Sequence, residues 1–113
     1  MRRGEVHWFD ADPVRGSEQA GRRPALVISR DAVNQASPVV VVLPITTWRR
    51  QRLYPSDTLV RSGEAGLTVD SVVLGLQIRA IDRARLTGRL GQVSAATLCR
   101  VEDALLKLLD IER

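Results

Sequence analysis

Three short stretches of this 113-residue chain gather the side chains whose types suit chemistry. The first, Gly16-Ser17-Glu18-Gln19-Ala20-Gly21-Arg22-Arg23-Pro24, is polar and ends in two arginines before a proline. The second, Pro44-Ile45-Thr46, delivers a hydroxyl at the end of the most apolar run. The third runs from Asp70-Ser71 through Gly75-Leu76-Gln77-Ile78-Arg79 to Asp82. Other kinds of site are excluded by composition. The chain has one histidine, His7, and one cysteine, Cys99. A zinc site of Cys/His type cannot be built within one chain. A pair of histidines acting as acid and base cannot exist, and neither can an intrachain disulfide. No recognisable motif surrounds His7 or Cys99 that would make them a nucleophilic pair.

The charge balance points to an acidic partner. The net charge is +4 and the sequence pI is about 10.5, and nucleic acid is the commonest partner of such a surface. Every basic residue except Lys107 is an arginine. That bias fits bidentate phosphate recognition, and it fits a GC-rich coding sequence equally well. Arg49, Arg50 and Arg52 lie between Trp48 and Tyr54, which is the composition of a nucleic-acid-binding loop. The other reading of that stretch is an ordinary exposed loop with Trp48 packed inward.

The elements that must position these residues follow from hydrophobic periodicity. Gly4 to Asp10 alternates as a strand, with Val6 and Trp8 on one face and Glu5, His7 and Phe9 on the other. Asp12 to Arg23 reads as a long loop, of the kind that often carries function. Pro24 closes it and biases Arg23 towards an extended backbone. Ala25–Ser29 and Val39–Leu43 are continuous apolar runs, hence buried strands, and a helical turn fits Asp31 to Gln35. Prolines 38 and 44 bound the second run. Shorter strands are expected at Asp57–Val60, Ser71–Leu74, Gln77–Ile81 and Arg85–Leu90, with a turn at Gly63–Gly66. From Ser94, a good N-cap, the period changes. Leu98, Val101, Leu105 and Leu108 form the apolar stripe of a terminal amphipathic helix. About seven short strands and one helix predict a mainly β, α+β fold: a strongly bent antiparallel barrel with appended helices. One domain over residues 1–113 is expected. No segment approaches the roughly 18 apolar residues of a membrane span, and a cytoplasmic location is expected.

In order and spacing, the three stretches closely resemble the MazF/PemK family of toxins from bacterial type II toxin–antitoxin pairs. Arg3-Gly4-Glu5-Val6, Asp12-Pro13 and the terminal helix resemble it too, so the likeness covers essentially the whole chain. The resemblance implies an SH3-like antiparallel β-barrel with short helices and a C-terminal helix, and a homodimer. It implies a sequence-specific endoribonuclease that cuts single-stranded RNA, usually messenger RNA, without metal or other cofactor, leaving 2′,3′-cyclic phosphate and 5′-hydroxyl ends. It also implies a cognate MazE-like antitoxin whose C-terminal segment wraps the toxin. The family's catalytic arginine matches Arg23 and its catalytic threonine Thr46. Gln77 matches a glutamine assigned here to substrate contact.

These assignments suit the chemistry. RNA supplies its own nucleophile, the 2′-hydroxyl. A forked, permanently charged guanidinium suits a phosphate gaining negative charge, and Thr46 offers a hydroxyl donor. Arginine rarely releases its proton, which leaves the base open. Ser17, Glu18 and Gln19 are expected to hold the loop and touch RNA, or only to shape the loop. Glu18 would repel phosphate and suits a structural or base-reading role. Trp48, Arg49 and Arg50 are the further RNA-binding candidates, and His7 is expected to be a surface or packing residue. An alternative is a non-catalytic toxin of the same fold that poisons a protein target such as DNA gyrase. Such proteins carry a C-terminal signature with a tryptophan, and this chain has none after Trp48.

Overall fold

The computed structural model describes residues 1–10 and 21–112. Among these, the strands are β1 (Glu5–Asp10), β2 (Arg22–Val27), β3 (Val39–Thr47), β4 (Asp57–Val60), β5 (Ser71–Leu74), β6 (Arg79–Asp82) and β7 (Leu86–Gln92). The helices are α1 (Asp31–Ala36) and α2 (Ala95–Leu108), with single 3₁₀ turns at Gly75–Gln77 and Arg83–Arg85. All strand pairs are antiparallel, in the order β4-β5-β3-β2-β1-β7, with β6 on the first half of β3. The expected mainly β fold with a terminal helix is what forms.

The continuous apolar runs have a physical reason: both faces of the central strands are covered. Leu26 of β2 and Leu43 and Ile45 of β3 enter one core with Val6, Val60, Val73, Val101 and Leu105. Their alternating neighbours Ala25, Val27, Val40 and Val42 enter a second core with Phe9 and Ile81. Strands buried on both sides show no polar alternation. The same arrangement buries both Val6 and Phe9, which point to opposite faces of β1.

Strand β3 is longer than its prolines suggest. It runs through Pro44 to Thr47 because it changes partner there. Val39–Val42 pair with β6, whereas Ile45–Thr47 pair with β5. Pro44 falls between the two ladders, where the missing N–H leaves no partner unsatisfied.

The sheet does not close by hydrogen bonds, since β4 and β7 are its ends. It closes by packing. The β4–β5 connection carries Ala65 at φ 57° and Gly66 at φ 76°, and lies backbone to backbone on β7. A Cβ on Gly66 would stand 2.3 Å from the Leu90 carbonyl oxygen, and one on Gly91 2.5 Å from the Ala65 carbonyl carbon. Helix α2 covers the first core with the stripe read from the sequence. Its N-cap is Ser94, whose hydroxyl oxygen accepts from Thr97 N–H at 3.1 Å. Arg3 ties the N-terminal segment to Glu102 of this helix.

Candidate active site

Arg23 is the second residue of β2, not part of the preceding loop. The β2–β3 register runs Val27–Val42, Leu26–Leu43, Ala25–Pro44. Continued, it sets Pro24 across from Ile45 and Arg23 across from Thr46. The ladder fails at that point for a chemical reason. Ile28 N–H donates to Val41 O at 3.0 Å. Donors aimed at β3 then recur every second residue, at Leu26 and at position 24, where proline has none. Beyond it β3 turns to β5, through Ile45–Val73, Thr46–Val72 and Thr47–Ser71.

A cavity of about 400 Å³ opens at this fork. Arg22, Arg23 and Pro24 of β2 and Ile45, Thr46 and Thr47 of β3 line it, with Arg49 just beyond. Gly66, Leu67 and Leu90 form a wall, so the packing that closes the barrel also bounds the site. Arg23 is exposed and Thr46 half-buried. Three guanidiniums and several hydroxyls thus share one concavity, and its described lining holds no carboxylate and no histidine. This donor set suits an anion.

The expected site residues divide. Arg23, Thr46 and Arg49 come together in the cavity. Trp48 and Arg50 flank Arg49 in the chain just after β3 and do not line the cavity. Gln77 does not line the cavity: it is exposed in the 3₁₀ turn between β5 and β6, beside the middle of β3, between the Ile45 and Val42 pairs. Ser17, Glu18 and Gln19 lie outside the described residues. Other contributors were not singled out from sequence. Arg22 lines the cavity with its guanidinium 4.6 Å from the Trp8 ring centroid, and Thr68 adds a hydroxyl. The Trp8–Pro24 register of β1 and β2 sets Trp8 beside this segment, but no local pattern signals it.

In the Trp48 segment the ring is neither packed into the core nor bare. The indole is half-buried, its Nε1 donates to Gln51 O at 3.0 Å, and the guanidiniums of Arg50 and Arg61 lie 4.8 and 5.7 Å from its centroid. Asp70 anchors the group. Its carbonyl accepts from Trp48 N–H, and its carboxylate accepts from Ser62 N–H and pairs with Arg61. The Ser62 N–H, with the charge of Arg61 and Arg50 nearby, holds the Asp70 carboxyl below its ordinary range.

His7 is a packing residue. Its Nε2 donates to Glu5 Oε1 at 2.8 Å, and Glu5 also accepts from Arg2 N–H and pairs with Arg89. Asp82 accepts from Ala84 N–H and caps the Arg83–Arg85 turn, a structural role.

A bent antiparallel barrel with an arginine- and hydroxyl-lined cavity at the end of its central strand defines the class. The chain belongs to the family of PemK-like, MazF-like toxins of type II toxin–antitoxin systems, which matches residues 2–109. It is similar to the endoribonuclease MazF9 of Mycobacterium tuberculosis, at 40% identity over 98% of each chain. It is also similar to the crystal structure of MazF from Deinococcus radiodurans, with a TM-score of 0.78 and 32% identity over 97% of this chain and 96% of that one. An endoribonuclease from a mycobacterial species, solved with its cognate antitoxin, shares the fold. Its TM-score is 0.80 at 23% identity, over 100% and 98% of the two chains.

Proposed function

We propose that this protein is a sequence-specific, metal-independent endoribonuclease toxin that cleaves single-stranded RNA in the cytoplasm. The observation that carries the reading is the placement of Arg23 and Thr46 at one fork between β2 and β3, facing a cavity rich in guanidinium and hydroxyl donors. Its membership of the toxin family and its similarity to a named endoribonuclease support the same reading.

The RNA brings its nucleophile, so the protein's task is alignment and charge stabilisation. The 2′-oxygen attacks the adjacent phosphorus and loses its proton. The bond from phosphorus to the 5′-oxygen breaks, and that oxygen takes up a proton. The products are a 2′,3′-cyclic phosphate and a 5′-hydroxyl. Arg23 neutralises charge on the non-bridging oxygens as the pentacoordinate state forms, and Thr46 donates a hydrogen bond to the same group. Arg22 and Arg49 hold the neighbouring backbone. Ser17, Glu18, Gln19 and Gln77 remain RNA-contact candidates, Gln77 at a distance from the cleaved bond. In this reading the protein acts as a homodimer, messenger RNA is the main substrate, and a cognate MazE-like antitoxin with an acidic tail neutralises it.

The test is cleavage of a long mixed-sequence RNA in EDTA, with cut sites mapped by sequencing and DNA of the same sequence as control. Site-selective cuts ending in cyclic phosphate are expected, with intact DNA. A requirement for added magnesium overturns the mechanism.

A further inference from the structure

We infer that Trp48, Arg50 and Arg61 form a phosphate clamp for the RNA backbone beside the cleavage cavity, with the indole as a mount for the two arginines rather than a stacking surface for a base. The inference deepens the endoribonuclease reading and takes its ligand, single-stranded RNA, from it.

Four observations carry it. The Trp48 ring already has two guanidiniums over it, at 4.8 and 5.7 Å from the centroid. A base could stack there only by displacing them, at a cost of about 0.5–2 kcal/mol each. The indole is also fixed in place, since Nε1 donates to Gln51 O and the backbone N–H to Asp70 O. Arg50 holds its position at φ 67°, a left-handed backbone that costs a non-glycine residue about 1–2 kcal/mol. Finally, Asp70 holds Arg61 from the side, with Nη1 3.2 Å from Oδ2.

The chemistry of the group favours phosphate. A guanidinium lying over a ring keeps its N–H edge free to point outward, and that edge matches phosphate oxygens. Arg50 and Arg61 stand against one carboxylate, Asp70, so the cluster keeps a positive charge. Its place fits a neighbouring nucleotide. Thr47 and Arg49 line the cavity on either side of Trp48 in the chain, and Ser71, next to Asp70, lines it too. A strand of RNA with its scissile phosphate at Arg23 and Thr46 would carry an adjacent phosphate across this rim.

The experiment is equilibrium binding of the full-length protein to a mixed-sequence 2′-O-methyl oligoribonucleotide, which cannot be cut, at 50 to 200 mM salt. Each phosphate contact contributes a slope of about 0.7 in log affinity against log salt for a single strand. Arg50→Gln and Arg61→Gln should each reduce the slope by about 0.7, so that about 2.6-fold less affinity is lost over the fourfold salt range. Trp48→Ala should act like both together, and Trp48→Phe like the wild type. Circular dichroism confirms that each variant folds. If Trp48→Ala weakens binding equally at every salt concentration with unchanged slope, the ring is a base-stacking surface and the clamp is wrong. Unchanged affinity and slope in all four variants also overturns it, and would assign the cluster to a protein partner. Cleavage is read separately. Altered slopes in a protein that cuts no RNA would remove the nuclease reading and keep the clamp. RNA cutting with unaltered slopes would do the reverse.

Discussion

Pro24 stands across from Ile45 where β2 would next donate a hydrogen bond to β3, and it has no N–H to donate. The β2–β3 ladder ends before it, and Pro24 lines the cavity together with Arg23 and Thr46. Pro24→Ala restores the donor and relaxes the restriction on Arg23. The ladder is expected to extend by one pair and draw Arg23 out of place. Displacement of about 1 Å can cost up to 10²-fold, so cleavage should fall by about tenfold or more while the melting temperature holds or rises. Wild-type cleavage by a folded Pro24→Ala protein would show that the fork is not needed.

Removing the charge or the hydroxyl at the fork should cost rate rather than fold. Arg23 is exposed and Thr46 half-buried, so neither substitution opens a large hole in the core. Arg23→Ala and Thr46→Val are each expected to lower kcat by roughly 10²–10³-fold, the size of losing one preorganised donor. Arg23→Lys keeps the charge but loses the fork and should recover only part. Thr46→Ser should recover most. Single-turnover cleavage with matched circular-dichroism spectra checks this, and full activity in either deletion removes that residue from the site.

The packed closure of the barrel predicts a contrast between two glycines. Gly66 and Gly63 both have positive φ, at 76° and 95°. A Cβ on Gly66 meets the Leu90 carbonyl oxygen at 2.3 Å, whereas one on Gly63 meets nothing within 4 Å. Gly63→Ala should cost only the backbone strain, about 1–2 kcal/mol. Gly66→Ala adds overpacking of about 1–3 kcal/mol. It should also disturb the cavity wall and reduce cleavage. Urea unfolding of the two variants measures the difference, and equal stability would mean that the β4–β5 connection does not press on β7.

Much of the fold was legible because local pattern and tertiary role agree. The stripe of Leu98, Val101, Leu105 and Leu108 and the Ser94 cap need only the helix's own geometry. Val40, Val42, Leu43 and Ile45 announce a buried strand because both faces of β3 are covered there. The run through Pro44 was not legible, since proline reads as a strand end and its tolerance depends on a change of neighbour from β6 to β5. Arg23 and Thr46 could be named from their motifs, but their meeting depends on register. The same dependence explains Gln77, whose motif is clear and whose place, beside the middle of β3, is set by the turn between the β5 and β6 ladders. Arg22 was passed over because its partner Trp8 is fourteen positions away in sequence and adjacent only in the sheet.

Glu5 gives a pH dependence whose sign can be worked out. Its side chain is 11% exposed, Oε1 accepts from Arg2 N–H and His7 Nε2, and Oε2 lies 3.2 Å from Arg89 Nε. Burial pushes the carboxyl up. The hydrogen bonds from His7 and Arg2, with the charges of His7 and Arg89, outweigh it and hold the carboxyl below its ordinary 4.5. The folded state therefore binds this proton less readily than the unfolded chain does. The stabilisation is complete above the unfolded value and is lost as pH falls through the folded one. Glu5→Gln removes the charge and keeps the shape, leaving a donor facing His7 or Arg2. It should cost about 1.5–3 kcal/mol at pH 7, the range for hydrogen bonds to a charged group. The gap to wild type should narrow below the ordinary carboxylate range as the wild-type carboxyl takes up its proton. Urea unfolding of both proteins from pH 7 to 3 measures it. A gap that is the same at pH 3 as at pH 7 would mean that the Glu5 charge contributes nothing to the folded state.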